Sequence, residues 1–269
     1  CSKALGYGIE VEYAREYIRR FHLRPAPQPV LSEHWPWPLK VRALGDFIIY
    51  RDGEILRFPR KAQKRPLDLL QALIAAGKEG IREEDLADAL WPDSDGDAAA
   101  QSLKITLHRL RTLVGREEAV RVREGRVSLD ENFCWVDAWT FEKLLEEAEG
   151  WNPGAAAPLL EKAVHLYQGV FLGREREAPW LLAAGDRLRS RFLRGVEKLG
   201  ALRSQNGDWG KARECYLKGL EVDGLAEEFC REAMVCCRHL GMRAEGLSLY
   251  RRFEKRLKTE LGIEPAGRT

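Results

Sequence analysis

The chain has 269 residues, of which 45% are hydrophobic and 32% charged, enough for about two domains with real cores and too apolar for a disordered chain. Its 44 basic and 42 acidic residues leave a net charge of +2, so net charge announces no nucleic-acid ligand, and any polyanion site must come from local segregation of charge. No apolar run approaches the ~18 residues of a membrane span, no signal peptide is visible, and the six cysteines lack paired CxxC spacing, which points to a reducing, cytoplasmic setting without disulfides, metal or cofactor.

The sequence opens at Cys1 rather than Met and closes on Gly-Arg-Thr, and so reads as a piece of a longer protein. Ile9 to Leu23 is predicted as a helix, with Ile9, Tyr13, Tyr17 and Phe21 in one stripe and Arg15, Arg19, Arg20 and Arg24 elsewhere. It stops before Pro25 because the residue preceding a proline avoids the helical region. Pro25 to Pro38 holds five prolines and two tryptophans, an extended linker docked in part by Trp35 and Trp37.

From Leu39 the pattern alternates. Val41 and Ala43, then Phe47 and Ile49, are split by Gly45, and Asp52-Gly53 supplies the positive φ of a hairpin turn before Ile55 to Phe58 returns. Ala62 to Ala76 follows as a helix with Leu67, Leu70, Leu73 and Ile74 inward; Pro66 lies near its start, where proline is tolerated. Ile81 reads as a one-residue strand, Glu83 to Leu90 as a short helix, and Trp91 to Gly96 as a polar loop.

The stretch Ala98 to Gly115 is the centre of the pattern. Leu103, Leu107, Leu110 and Val114 are spaced four, three and four, one apolar stripe of a helix. Gln101, Ile105, His108 and Thr112 fall on the opposite face, with Lys104 and Arg111 on one flank and Arg109 on the other. No acidic residue occurs between Asp97 and Glu117. Ala119 to Leu129 then alternates again around Glu124-Gly125, a second hairpin carrying Arg121, Arg123 and Arg126. Hairpin, helix, helix, loop, helix, hairpin is the layout of a winged helix, in which the third helix reads a groove and the last hairpin is the wing.

Charge within this region is segregated, not high: residues 39–137 hold 17 Lys and Arg against 18 Asp and Glu, a net of −1. Acids crowd the second helix at Glu83, Glu84, Asp85 and Asp88. The bases form three clusters: Arg60, Lys61, Lys64 and Arg65; Lys104, Arg109 and Arg111; and Arg121, Arg123 and Arg126. Convergence of those clusters on one face would let a local patch govern binding to double-stranded DNA. The candidate DNA-binding residues are Gln101, Lys104, His108, Arg109, Arg111, Thr112, Arg123, Arg126 and Lys64. Of these, Lys104, His108 and Arg111 are placed to reach base edges or nearby phosphates, and Arg109 to clamp a phosphate.

The second half is helix after helix: Trp139 to Glu149, Ala155 to Leu166, Trp180 to Gln205, Lys211 to Glu221, Ala226 to Leu240 and Ala244 to Leu261. A 34-residue offset maps Gly207 to Gly241, Ala212 to Gly246 and Tyr216 to Tyr250, and this is the tetratricopeptide period, with small residues where paired helices touch. Cys230, Cys236 and Cys237 read as small core residues. His22, His34, His108, His165 and His239 are scattered one to an element, and no HExxH or GxSxG occurs, so the residues point away from catalysis.

Two runs carry a family resemblance. LGDFIIYRDGEILRFPRKAQKRPLDLLQALI, followed by EEDLADALWPDSDGDAAAQSLKITLHRLRTLVG, resembles the OmpR-type winged helix of bacterial SARP and AfsR-type regulators. VDAWTFEKLLEEAE, APWLLAAGDRLRSRFL and YRRFEKRLKTELGIEP resemble the bacterial transcriptional activator domain that follows it there. GIEVEYAREYIRRFHLRP and WPWP resemble the segment preceding this pair in large MalT-like, nucleotide-dependent regulators, which implies an ATPase and sensor repeats upstream. The expected fold is mainly α with a small β component. It divides into an N-terminal helix and linker (1–38), a winged helix (39–136) and a tetratricopeptide-like activator domain (137–269). The resemblance implies a sequence-specific DNA-binding activator, not an enzyme, whose repeats meet RNA polymerase, a second copy or upstream sensor domains. The alternative from the residues is a protein–protein interaction module of a larger signalling ATPase whose winged helix binds no DNA, a reading kept open by the net charge of −1.

Overall fold

Leu39–Arg42 (β1) and Ile48–Arg51 (β2) pair antiparallel with Leu39 opposite Arg51. The Asp52-Gly53 turn then returns a two-residue strand, Glu54–Ile55 (β3), along β2. The sheet gains a fourth strand the alternation did not announce: Cys134–Val136 (β7) runs parallel to β1, giving the order β3-β2-β1-β7. All three β7 residues are buried. A strand covered on both faces has no polar alternation to betray it, and the apolar run Phe133-Cys134-Trp135-Val136 was its only signal.

This computed structural model describes residues 1, 5, 9–21, 23, 33–57, 64–173 and 178–265. Arg60 and Lys61 of the first basic cluster lie outside the described residues. The chain divides into two compact units, Cys1–Lys143 with Gln168–Asp186, and Leu144–Tyr167 with Arg187–Thr269.

In the first unit, helix α1 (Val11–Arg20) buries Ala14 and Ile18, while the stripe of Ile9, Tyr13, Tyr17 and Phe21 faces outward, Tyr13 at 66% exposure. The Arg15 Nε donates to His34 O at 3.0 Å, tying the helix to the segment in which Trp35 and Trp37 are buried. Helices α2 (Lys64–Ala76), α3 (Glu83–Leu90) and α4 (Gly96–Val114) pack on one another. The buried face of α2 is centred on Leu69, Leu70, Leu73 and Ile74; Leu67, expected inward, is only half-buried. The wing sheet has the order β4-β6-β5, from Ile81–Arg82 (β4), Val120–Arg123 (β5) and Arg126–Leu129 (β6).

Asp137, at the start of helix α5 (Asp137–Glu149), holds the end of β1. Its buried carboxylate accepts from Ala43 N at 2.8 and 2.9 Å, Leu44 N at 3.0 Å and Ala138 N at 2.7 Å. Burial pushes this carboxyl up to about 6, against the backbone N–H groups that favour its charged form. On the same strand, Lys40 and Arg42 converge on Glu33. Burial alone would raise the Glu33 carboxyl, but the two cations override it and hold it at about 2.

The second unit is built from the rest of α5 with α6 (Pro153–Leu166), the larger part of α7 (Pro179–Gln205), α8 (Trp209–Val222), α9 (Glu227–His239) and α10 (Arg243–Glu260). The 34-residue offset is structural: α8 and α10 begin at 209 and 243, and α7 and α9 end at 205 and 239. Gly207 and Gly241 turn the chain at φ of 76° and 73°. Tyr216 is buried with its ring against Gly200, where a Cβ would stand 2.5 Å from Cζ, so only glycine admits the ring. Tyr250, its counterpart by offset, is only half-buried. Leu249, Phe253 and Leu257 fill the core side of α10 instead. Cys230, Cys236 and Cys237 are buried core residues.

Candidate nucleic-acid interface

Helix α4 buries Ala99, Leu103, Thr106, Leu107, Leu110 and Val114 against α2 and α3. It ends at Gly115, whose φ of 73° lets its N–H close on Arg111 O at 3.0 Å. The burial of one stripe sets what the other presents. Gln101, Ile105, His108 and Thr112 form an exposed crest, flanked by exposed Lys104 and Arg109. The side chains of Gln101, Lys104, His108 and Arg109 have no hydrogen bond or ion pair with any described residue. The Thr112 hydroxyl donates to His108 O at 3.0 Å, a back-bond along the helix that commits its proton.

Arg111 is different. Its Nε and Nη2 donate to Val120 O at 3.3 and 3.1 Å, so its guanidinium is turned from the expected groove face onto the first residue of the wing. Charge-assisted bonds of this kind recur across the unit. Arg51 Nη1 donates to Leu113 O at 3.2 Å, and Arg65 Nη1 to Leu90 O at 2.9 Å while its guanidinium lies over the Trp91 ring. Both carbonyls belong to last turns of helices, which have no partner within the helix.

In the wing, Arg123 and Arg126 stand directly opposite each other, an unfavourable pairing of like charges. The structure separates them: Arg126 bends back to donate to Glu79 O at 3.1 Å and Gly80 O at 2.8 Å. Gly80 belongs here for steric reasons, since its φ is 66° and a Cβ would lie 2.3 Å from Val127 O. The wing tip is fastened in turn to α3, where Glu83 N donates to Gly125 O at 2.8 Å. Arg121 is drawn inward to the buried carboxylate of Asp130, whose other oxygen accepts from Asn132 N at 3.0 Å and Nδ2 at 2.9 Å. Arg123 alone of the wing arginines is paired with no described residue. Lys64 is exposed at the first position of α2.

The structure therefore sorts the candidates. Gln101, Lys104, His108, Arg109, Arg123 and Lys64 are exposed and available. Arg111 and Arg126 bridge carbonyls of this chain, and Thr112 has spent its donor. Residue type and helical position place a side chain on a face, but they do not show that a carbonyl 46 or 47 residues away will claim it, as happens to Arg126. Ile105 is exposed on the same crest but lies outside the predicted set.

Residues 136–269 match the family model described as the bacterial transcriptional activator domain. Transcriptional regulator RedD of Streptomyces coelicolor is 27% identical over 203 residues, covering 71% of this chain and 57% of RedD. The structure of Mycobacterium tuberculosis EmbR in complex with a low affinity phosphopeptide superposes with a TM-score of 0.64 at 17% identity, covering 86% of this chain and 63% of that one. The chain thus spans less than two thirds of either relative, and at 17% identity the EmbR likeness speaks for the fold: a winged helix followed by a helical domain. Among the described residues no helix is long and apolar enough to cross a membrane.

Proposed function

We propose that the chain is a SARP-type bacterial transcriptional regulator, as its match to the activator-domain family and its similarity to RedD support, and that residues 39–136 bind double-stranded DNA in a sequence-specific manner, with α4 in the major groove and the wing on the backbone. The observation that carries this is the crest of α4. It is free of acids from Ala98 to Arg116, its polar side chains other than Thr112 have no described partner, and the helix that carries it is packed against α2 and α3. A helix of this build suits an electronegative groove. Lys104, Arg109, Arg123 and Lys64 supply contacts to phosphate, and Gln101 and His108 supply donors for base edges. Residues 137–269 act as the output domain of an activator, meeting RNA polymerase, a second copy or upstream sensor domains.

The test is a gel shift with mixed-sequence duplex DNA over a range of salt, followed by selection of bound sequences from a random pool. Binding whose logarithm falls linearly with the logarithm of salt, and enrichment of one sequence, are the expected results. Absence of binding at low salt would remove the proposal. The net charge of −1 and the inward-turned Arg111, Arg121 and Arg126 would then favour a protein-binding winged helix. For the output domain, deletion of residues 137–269 is expected to abolish activation of a reporter while leaving DNA binding intact.

A further inference from the structure

We infer that Ile105 reads the 5-methyl group of a pyrimidine in the major groove, one to two base pairs from an adenine held by Gln101. The inference rests on the proposal that α4 is the groove-facing helix.

A lone apolar side chain on a protein surface is ordinary. The position of Ile105 is what gives it meaning. It keeps 45% of its surface in water in the middle of the crest Gln101–Ile105–His108–Thr112, where every neighbour along the line is polar and exposed. Its branched Cβ holds χ1 in one rotamer on a helix, so it presents a stiff apolar knob that loses little freedom on docking. Against phosphate or a hydrated base edge such a knob would shed water for no return. The major groove offers one apolar group that rewards it, the methyl on C5 of thymine or of 5-methylcytosine.

Gln101, one turn earlier, carries an amide with no described partner, and glutamine meets adenine through N6 and N7 in a two-point contact. Four residues rise about 6 Å along a helix, and base pairs follow every 3.4 Å or so, which sets the separation of the two contacts. Gln101 lies in the first third of α4, which runs from Gly96 to Val114, and Ile105 at its midpoint, one turn further along the same crest; the N-terminal part of such a helix is the one that faces base edges. Lys104 on the flank is left for phosphate.

The experiment uses the 269-residue chain and the duplex it enriches from a random pool. Each thymine of the enriched site is replaced in turn by uracil, which keeps base pairing and every hydrogen-bonding group and removes only the methyl. At one position the wild-type chain is expected to lose about fourfold in affinity, the value of one buried methyl group. Ile105→Ala, checked for an unchanged circular dichroism spectrum, is expected to bind the thymine and uracil duplexes equally, and Ile105→Val to keep most of the discrimination. A Gln101→Ala variant should relax preference at an adenine within two base pairs of that position. Substituting cytosine and 5-methylcytosine at the sensitive position separates the two sources. Tight binding by 5-methylcytosine shows that the methyl is read on either base, and weak binding by both shows that thymine is required. A uracil scan without effect anywhere, or a uracil penalty that persists undiminished in Ile105→Ala, overturns the inference while DNA binding by α4 stands. Failure of the wild-type chain to bind or enrich any duplex overturns both, and is seen before the scan begins.

Discussion

Arginines pair with carboxylates in both units, as Arg42 with Glu33 and Arg121 with Asp130 in the first, but the first unit also turns several onto its own backbone. In the first unit Arg51, Arg65, Arg111 and Arg126 donate to backbone carbonyls, at Leu113, Leu90, Val120, and Glu79 with Gly80. In the second unit Arg189, Arg203, Arg213 and Arg256 pair with carboxylates at Asp223, Glu161 with Asp208, Glu245 and Glu260. Short helices joined by tight loops leave many carbonyls without partners, so the winged helix consumes cations to finish its own backbone. Longer helices leave a smaller share of their carbonyls unpartnered, though Lys218 still donates to Val164 O in the last turn of α6, and surface ion pairs each contribute little. Stability in the second unit lies in interlocked rings such as Tyr216 on Gly200 and Tyr167 stacked on Phe192 at 4.2 Å. A basic residue in the first unit is therefore informative about a ligand only when it is free, as Lys104, Arg109 and Arg123 are.

The largest expected effect sharpens the ring-packing side of this comparison. Tyr216→Ala should cost about 3–5 kcal/mol, because it empties a space shaped by Gly200. Denaturant melts of the whole chain measure it, and a loss below about 1 kcal/mol, the ordinary effect of a surface change, would show that the repeats are not held by this contact.

Next is Asp137→Asn, expected to cost on the order of 2–3 kcal/mol, since an amide presents an N–H to backbone donors that now meet a carboxylate. The wild-type group has a signature in pH. Its folded carboxyl titrates at about 6, above the ordinary 3.8, so its contribution to stability is full below 3.8 and is lost as pH rises through 6. Asp137→Asn should lack that falling limb in stability measured between pH 4 and 7. Glu33 works in the opposite sense: held at about 2 against an ordinary 4.5, it contributes above 4.5 and loses that contribution as pH falls towards 2.

The smallest effects divide the wing. Arg126→Ala should lower stability by about 1–2 kcal/mol, through loss of its two carbonyl bonds, and leave the salt dependence of DNA binding nearly unchanged. Arg123→Ala should leave the melt unchanged and lower the salt slope by about one. Paired melts and salt titrations decide it. The reverse pattern would mean that Arg126 leaves Glu79 and Gly80 to reach DNA.

The order of elements in the winged helix, the buried stripe of α4, the two hairpin turns and the 34-residue offset were all legible in the chain, because periodicity, Asp-Gly and Glu-Gly turns and breaks at Gly207 and Gly241 are local signals. Three things were decided only in the tertiary structure. Strand β7 exists because β1 offers it a parallel edge, and three buried residues carry no period to read. Tyr250 is half-buried where Tyr216 is buried, because what covers a side chain is set by the helices around it and not by repeat position. The freedom of Lys104, Arg109 and Arg123, against the commitment of Arg111 and Arg126, depends on which carbonyls arrive beside each guanidinium. Hydrophobic spacing along one helix determines which face is free. Which charges on that face remain free is determined by segments far away in the chain, and folding alone brings them there.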